Sequence, residues 1–110
     1  MDEQLLQDCM ALIVNSGEGK ALATEAFRLL MDQYDKEGAK SKLKEAGDVI
    51  GLAHEIQTRL MQAEIDGENI EKSILLIHAQ DHFMTAVTFR DMVKMMMEMY
   101  EKLYCEMKCV

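Results

Sequence analysis

The sequence predicts an all-α protein: a three-helix antiparallel, up-down-up bundle formed by one domain over residues 1–110. Three observations predict it. The chain has no proline and only six glycines. Leu, Ala, Met, Glu and Lys dominate, and these side chains lose little rotamer freedom in a helix. Aromatic residues make up only 5% of the chain, and the runs of Val, Ile and Thr that mark strands are missing.

Glycine and charge clusters cut the chain into three segments. The first runs from about Asp2 to Met31 and stops near Asp32 to Gly38, where Asp35-Lys36-Glu37-Gly38 reads as a polar turn. Asn15-Ser16-Gly17-Glu18-Gly19 interrupts it, and two glycines there predict a bend or a close backbone approach. The second segment runs from about Ala39 to Ile65 and ends at Asp66-Gly67, a good C-terminal stop. Its apolar side is Leu43, Ala46, Ile50, Ala53, Ile56, Gln57, Leu60 and Ala63. Short connections between long helices favour antiparallel neighbours.

The third segment begins near Asn69 to Ser73 and continues to about Glu106 without a breaker. One stripe holds Leu76, Ala79, Phe83, Ala86, Val93, Met97, Tyr100 and Tyr104, with Arg90 as its charged gap. A second holds Leu75, His78, His82, Thr85, Phe89, Met92, Met96, Met99 and Leu103. A helix that is apolar nearly all round is buried on most sides, and a three-helix monomer is too small to bury this one. The second stripe is therefore expected to join subunits, with a closed ring as the natural solution. Met92, Met95, Met96, Met97 and Met99 belong to the same argument and read first as adaptable core packing, with a promiscuous binding surface or a copper site as the alternative.

Composition excludes several function classes. The net charge of −8, from 12 Lys and Arg against 20 Asp and Glu, argues against nucleic acid, whose binders neutralise phosphates with basic side chains. It also disfavours anionic lipid. The N-terminus lacks the basic region of a signal peptide, and no apolar stretch approaches the ~20 residues of a membrane span. No direct membrane insertion is expected. Three cysteines, Cys9, Cys105 and Cys109, point to reduced thiols and a cytoplasmic location. Cys105 and Cys109 are one turn apart but lack further obvious ligands.

The chemistry concentrates at His78-Ala79-Gln80-Asp81-His82, set inside an otherwise apolar run. Polar groups there are costly to desolvate unless paired. Positions three and four apart share a helical face, so His78, Asp81, His82 and Thr85 project together while Gln80 points elsewhere. Three readings stand side by side on these residues alone. One is a hydrogen-bonded polar knot in a non-catalytic helical scaffold. Another is a metal-binding helical bundle, completed by His54, Glu55 or Glu64, although the Glu-x-x-His repeats of di-metal bundles are absent. The third is nucleophilic chemistry at a neutral imidazole.

The run Ser73-Ile-Leu-Leu-Ile-His78-Ala-Gln-Asp-His82-Phe-Met-Thr85 resembles the active-site signature of the lactose/cellobiose IIA family of the bacterial sugar phosphotransferase system. Leu12-Ile-Val-Asn-Ser-Gly17 with Ala21-Leu-Ala-Thr-Glu-Ala26 is similar to that family's first helix. Ala53-His54-Glu-Ile-Gln57-Thr-Arg-Leu60 is similar to its second. The resemblance spans nearly the whole chain. Departures are modest: Gly17-Glu18-Gly19-Lys20 replaces the commoner Gly-x-Ala-Arg pattern, and the methionine-rich end and the cysteine tail are unusual.

The resemblance implies a homotrimer and a phosphotransferase component whose phosphorylated residue is His78. It implies that Asp81 gathers with its copies around a magnesium ion on the threefold axis, one per trimer. Three carboxylates at one axis repel strongly, so a cation or bound protons would be required. His82 and Gln80 match the motif as supporting residues, with Gln80 expected to help line the site. The implied donor is the histidine-containing phosphocarrier protein, and the implied acceptor is a cysteine of the sugar-specific IIB component. A β-linked disaccharide, cellobiose/chitobiose or lactose, is the implied cargo of the transporter, with the details leaning toward the cellobiose/chitobiose branch.

Overall fold

The computed structural model describes residues 1–108 and consists there of three helices: α1 (Glu3–Gln33), α2 (Lys36–Ile65) and α3 (Ile74–Lys108). Cys109 lies outside the described residues. Each helix begins at a side-chain cap that satisfies an orphan backbone N–H. The Asp2 carboxylate accepts from the Leu5 amide at 2.7 Å, Asp35 from Gly38 at 2.9 Å, and the Ser73 hydroxyl from Leu76 at 3.1 Å.

The cap at Asp35 corrects the expected turn. Asp35-Lys36-Glu37-Gly38 is the first turn of α2 rather than a loop, and the connection from α1 shrinks to Tyr34 and Asp35. Gly38 is present for the cap, since a Cβ there would lie 2.1 Å from the Asp35 carboxylate. Tyr34 makes the reversal by adopting the left-handed conformation, φ 49°. The expected interruption at Gly17 and Gly19 is absent, and α1 runs through both. Gly19 serves the close approach instead: a Cβ would fall 2.3 Å from Ile50 of α2.

The order is up-down-up. Antiparallel α1 and α2 meet at Asp8 and Arg59; antiparallel α2 and α3 meet at Gln57 and Gln80. The first and third helices run parallel, so Met1 pairs with Glu71 at one end and Tyr34 reaches Cys105 at the other. The bundle measures 61 × 20 × 20 Å.

The predicted apolar sides are the core. On α2, Leu43, Ala46, Ile50, Ala53 and Leu60 are buried, with Ile56, Gln57 and Ala63 at its edge. On α3 the first stripe is buried from Leu76 through Met97, apart from half-buried Arg90, which lies across Gly47. The second stripe is uncovered: Phe89, Met92, Met96, Met99 and Leu103 are exposed, as are Ile74 and Ile77 near its start. An apolar face this long on a 110-residue chain marks an interaction surface.

Candidate functional site

The site lies on the first three turns of α3, where the buried stripe (Leu76, Ala79, Phe83) anchors the helix and turns the adjoining face outward. His78 is exposed and His82 half-buried. Their rings meet edge to face, with centroids 4.6 Å apart and an interplanar angle of 85°. The Nδ1 atom of His82 is buried without a partner, which leaves Nε2 as the atom toward the outside. Asp81 is exposed beside the pair. The Thr85 hydroxyl donates to the Asp81 carbonyl at 2.6 Å, so it is committed to its own helix.

Gln80 occupies a different place. Its amide donates to the Gln57 carbonyl oxygen at 3.2 Å, in the seam between α2 and α3. Within one chain the structure thus brings the His78 and His82 rings into contact, sets Asp81 on the same outward side of the helix, and leaves Gln80 on the far flank. His54 belongs to that far flank too: its ring lies edge-on to Phe83, centroids 5.9 Å apart, and its Nδ1 is 3.4 Å from the Thr58 hydroxyl. It is not brought to His78.

Among the described residues, no three His, Cys, Asp or Glu side chains converge as a metal-binding group. A cation at Asp81 would therefore need carboxylates from other copies. Sequence reasoning missed the ion pair that backs this end of the bundle, in which Arg59 donates to buried Asp8 at 2.7 and 3.0 Å. An arginine on α2 and an aspartate among apolar residues of α1 were the available signals. No described helix is long and apolar enough to cross a membrane.

Chemically, this is an imidazole held out from a rigid helix, with a second imidazole behind it and open space before it. Such a group suits a nucleophile that must be reached by something large. Comparison with known proteins finds relatives over nearly the whole chain. Residues 7–101 match the family described as "PTS system, Lactose/Cellobiose specific IIA subunit". The chain is 39% identical over 103 residues to the lichenan-specific phosphotransferase enzyme IIA component of Bacillus subtilis, covering 94% of this chain and 93% of that one. Its fold superposes on the cellobiose-specific enzyme IIA of Bacillus anthracis with a TM-score of 0.88, at 37% identity and 96% and 95% coverage. It also matches the IIA(Chitobiose)–HPr complex of the Escherichia coli phosphotransferase system, with a TM-score of 0.78, 33% identity and 94% and 99% coverage.

Proposed function

Since the chain belongs to the lactose/cellobiose-specific IIA family of the sugar phosphotransferase system, we propose that it is a cytoplasmic phosphocarrier whose acceptor atom is a ring nitrogen of His78. The observation that carries this reading is the exposure of that imidazole on α3, edge-on to His82. The donor is the phosphohistidine of HPr, the histidine-containing phosphocarrier protein, which stands in complex with the chitobiose relative. Nε2 of His78 attacks phosphorus in line. The new N–P bond forms as the donor's N–P bond breaks, and the donor nitrogen keeps the electron pair. A cysteine thiolate of a IIB component then takes the group in the same way. The charge is spread over the transferred oxygens, so positioning and donors aimed at those oxygens do most of the catalysis.

The working unit of this proposal is a homotrimer around the uncovered face of α3. At 100° per residue, Asp81 falls at the middle of that face, with His78 about 60° to one side and Gln80 about 100° to the other. A threefold axis beside Asp81 turns the His78 flank of one copy toward the Gln80 flank of the next. Gln80 thereby lines the neighbouring copy's site although it lies away from His78 in its own chain. The same axis gathers three Asp81 carboxylates, an oxygen set that suits magnesium with water completing the shell. When bound, the ion would neutralise the repulsion among them. The cargo of the wider system in this reading is a β-linked disaccharide of the cellobiose/chitobiose or lactose type.

The test is labelling with phosphorylated HPr. His78→Ala should keep its helicity and its sedimentation behaviour and take up no label, and label retained in that variant removes His78 from the mechanism. A scaffold takes up no phosphate even as the wild-type chain.

A further inference from the structure

His78 and His82 are one helical turn apart with ring centroids 4.6 Å apart. Imidazoles at positions i and i+4 on one helix face are the spacing used to grip zinc in helical metal sites. With Zn–N bonds of about 2.0–2.1 Å and a tetrahedral angle at the metal, two bound rings have centroids about 5 Å apart. The pair is about half an ångström closer than that, and the rings, now at 85°, reach a chelate by turning about their side-chain torsions until two nitrogens face one ion. Exposure supplies the entry path on the His78 side. The buried Nδ1 of His82 turns its Nε2 outward, as a ligand nitrogen needs.

We propose that His78 and His82 form a two-imidazole chelate for a divalent transition cation, zinc above all, and that the bound cation blocks phosphoryl acceptance. Imidazole selects Zn, Cu and Ni over Mg. Only two protein ligands converge, so water completes the shell and the ion exchanges, unlike the closed four-ligand sites that hold structural zinc. Blocking follows because the cation occupies the lone pair that would attack phosphorus. The blocking step rests on His78 being the acceptor; the chelate does not.

Zinc chloride titrated into the full-length protein, followed by heat, should show a binding event lost in both His78→Gln and His82→Gln. Zinc bound by Cys105 and Cys109 is common to all three proteins and cancels. An isotherm unchanged in either variant overturns the chelate. A second measurement needs no variant: substoichiometric nickel(II) should broaden the ring protons of His78 and His82 before those of His54, and equal broadening of all three rings overturns it. With free zinc at about ten times the measured dissociation constant, transfer from phosphorylated HPr should slow roughly tenfold and recover with chelator. Zinc bound at the pair with the rate unchanged overturns the block. No labelling in zinc-free protein instead overturns the phosphocarrier reading and leaves the chelate standing.

Discussion

The Asp8 carboxylate and the Arg59 guanidinium form a two-armed ion pair between α1 and α2, with arms of 2.7 and 3.0 Å. Asp8 is only 4% exposed and also accepts from the Gln4 amide at 3.1 Å, while the Arg59 side chain is 53% exposed. Because α1 and α3 run parallel with Met1 beside Glu71, this pair lies close to the level of His78. It fixes the end of the bundle from which the acceptor projects.

Removing one partner should cost more than removing both. Arg59→Ala leaves a buried carboxylate without its cation, but water can reach the vacated side, so about 2 kcal/mol is expected. That corresponds to a melting temperature lower by roughly 10 °C in a domain of this size. Asp8→Leu combined with Arg59→Met should recover most of the loss. Thermal unfolding of the single and double variants measures the difference.

Two neighbouring glycines should respond in opposite directions. Gly19→Ala places a methyl 2.3 Å from Cγ1 of Ile50, and the overpacking should destabilise by about 1–3 kcal/mol. Gly17→Ala meets nothing within 4 Å and should stabilise the helix by up to about 1 kcal/mol. Urea unfolding midpoints separate the two.

That contrast shows where the sequence was legible. Helical periodicity placed the buried stripe from Leu76 to Met97 and the uncovered stripe from Phe89 to Leu103, because both follow from 3.6-residue geometry on one helix. It grouped His78, Asp81 and His82 and sent Gln80 elsewhere for the same reason. At Gly17-Glu18-Gly19 it left a bend or a close approach open, of which the approach holds, and it misjudged Asp35-Lys36-Glu37-Gly38 as a turn; in both the outcome depends on another segment or a cap. Gly19 answers to Ile50 on α2, and Gly38 to the Asp35 carboxylate. For Asp8 and Arg59 each residue carried a signal, but their pairing did not, because it joins residues 51 positions apart.

The far end of the bundle carries a titration marker. Burial first, and then the hydrogen bond with the Cys105 thiol, push the Tyr34 hydroxyl up to about 12. Its ring is stacked on Tyr104, centroids 3.6 Å apart. A tyrosine in an unfolded chain ionises near 10. The fold thus favours the neutral phenol, and its contribution is fully present below about pH 10 and is lost as pH rises toward about 12. Near-ultraviolet absorbance should show one late-titrating tyrosine, and Cys105→Ala should bring its midpoint down.

The uncovered stripe makes the last prediction. Met92 and Met96 are 52% and 38% exposed in the single chain, on the same face as Asp81 and His78. If three copies close over this face, Met92→Glu with Met96→Glu puts six carboxylates into a desolvated apolar seam, a cost no pairing offsets. Sedimentation should then show monomers, and the melting temperature should lose its dependence on protein concentration. Leu52→Glu, at a 51% exposed apolar position on the outer side of α2, should leave both properties unchanged. An assembly that survives the double substitution means the copies meet elsewhere. Gln80 would then have no route to a neighbour's His78, and the acceptor would have to be complete within one chain.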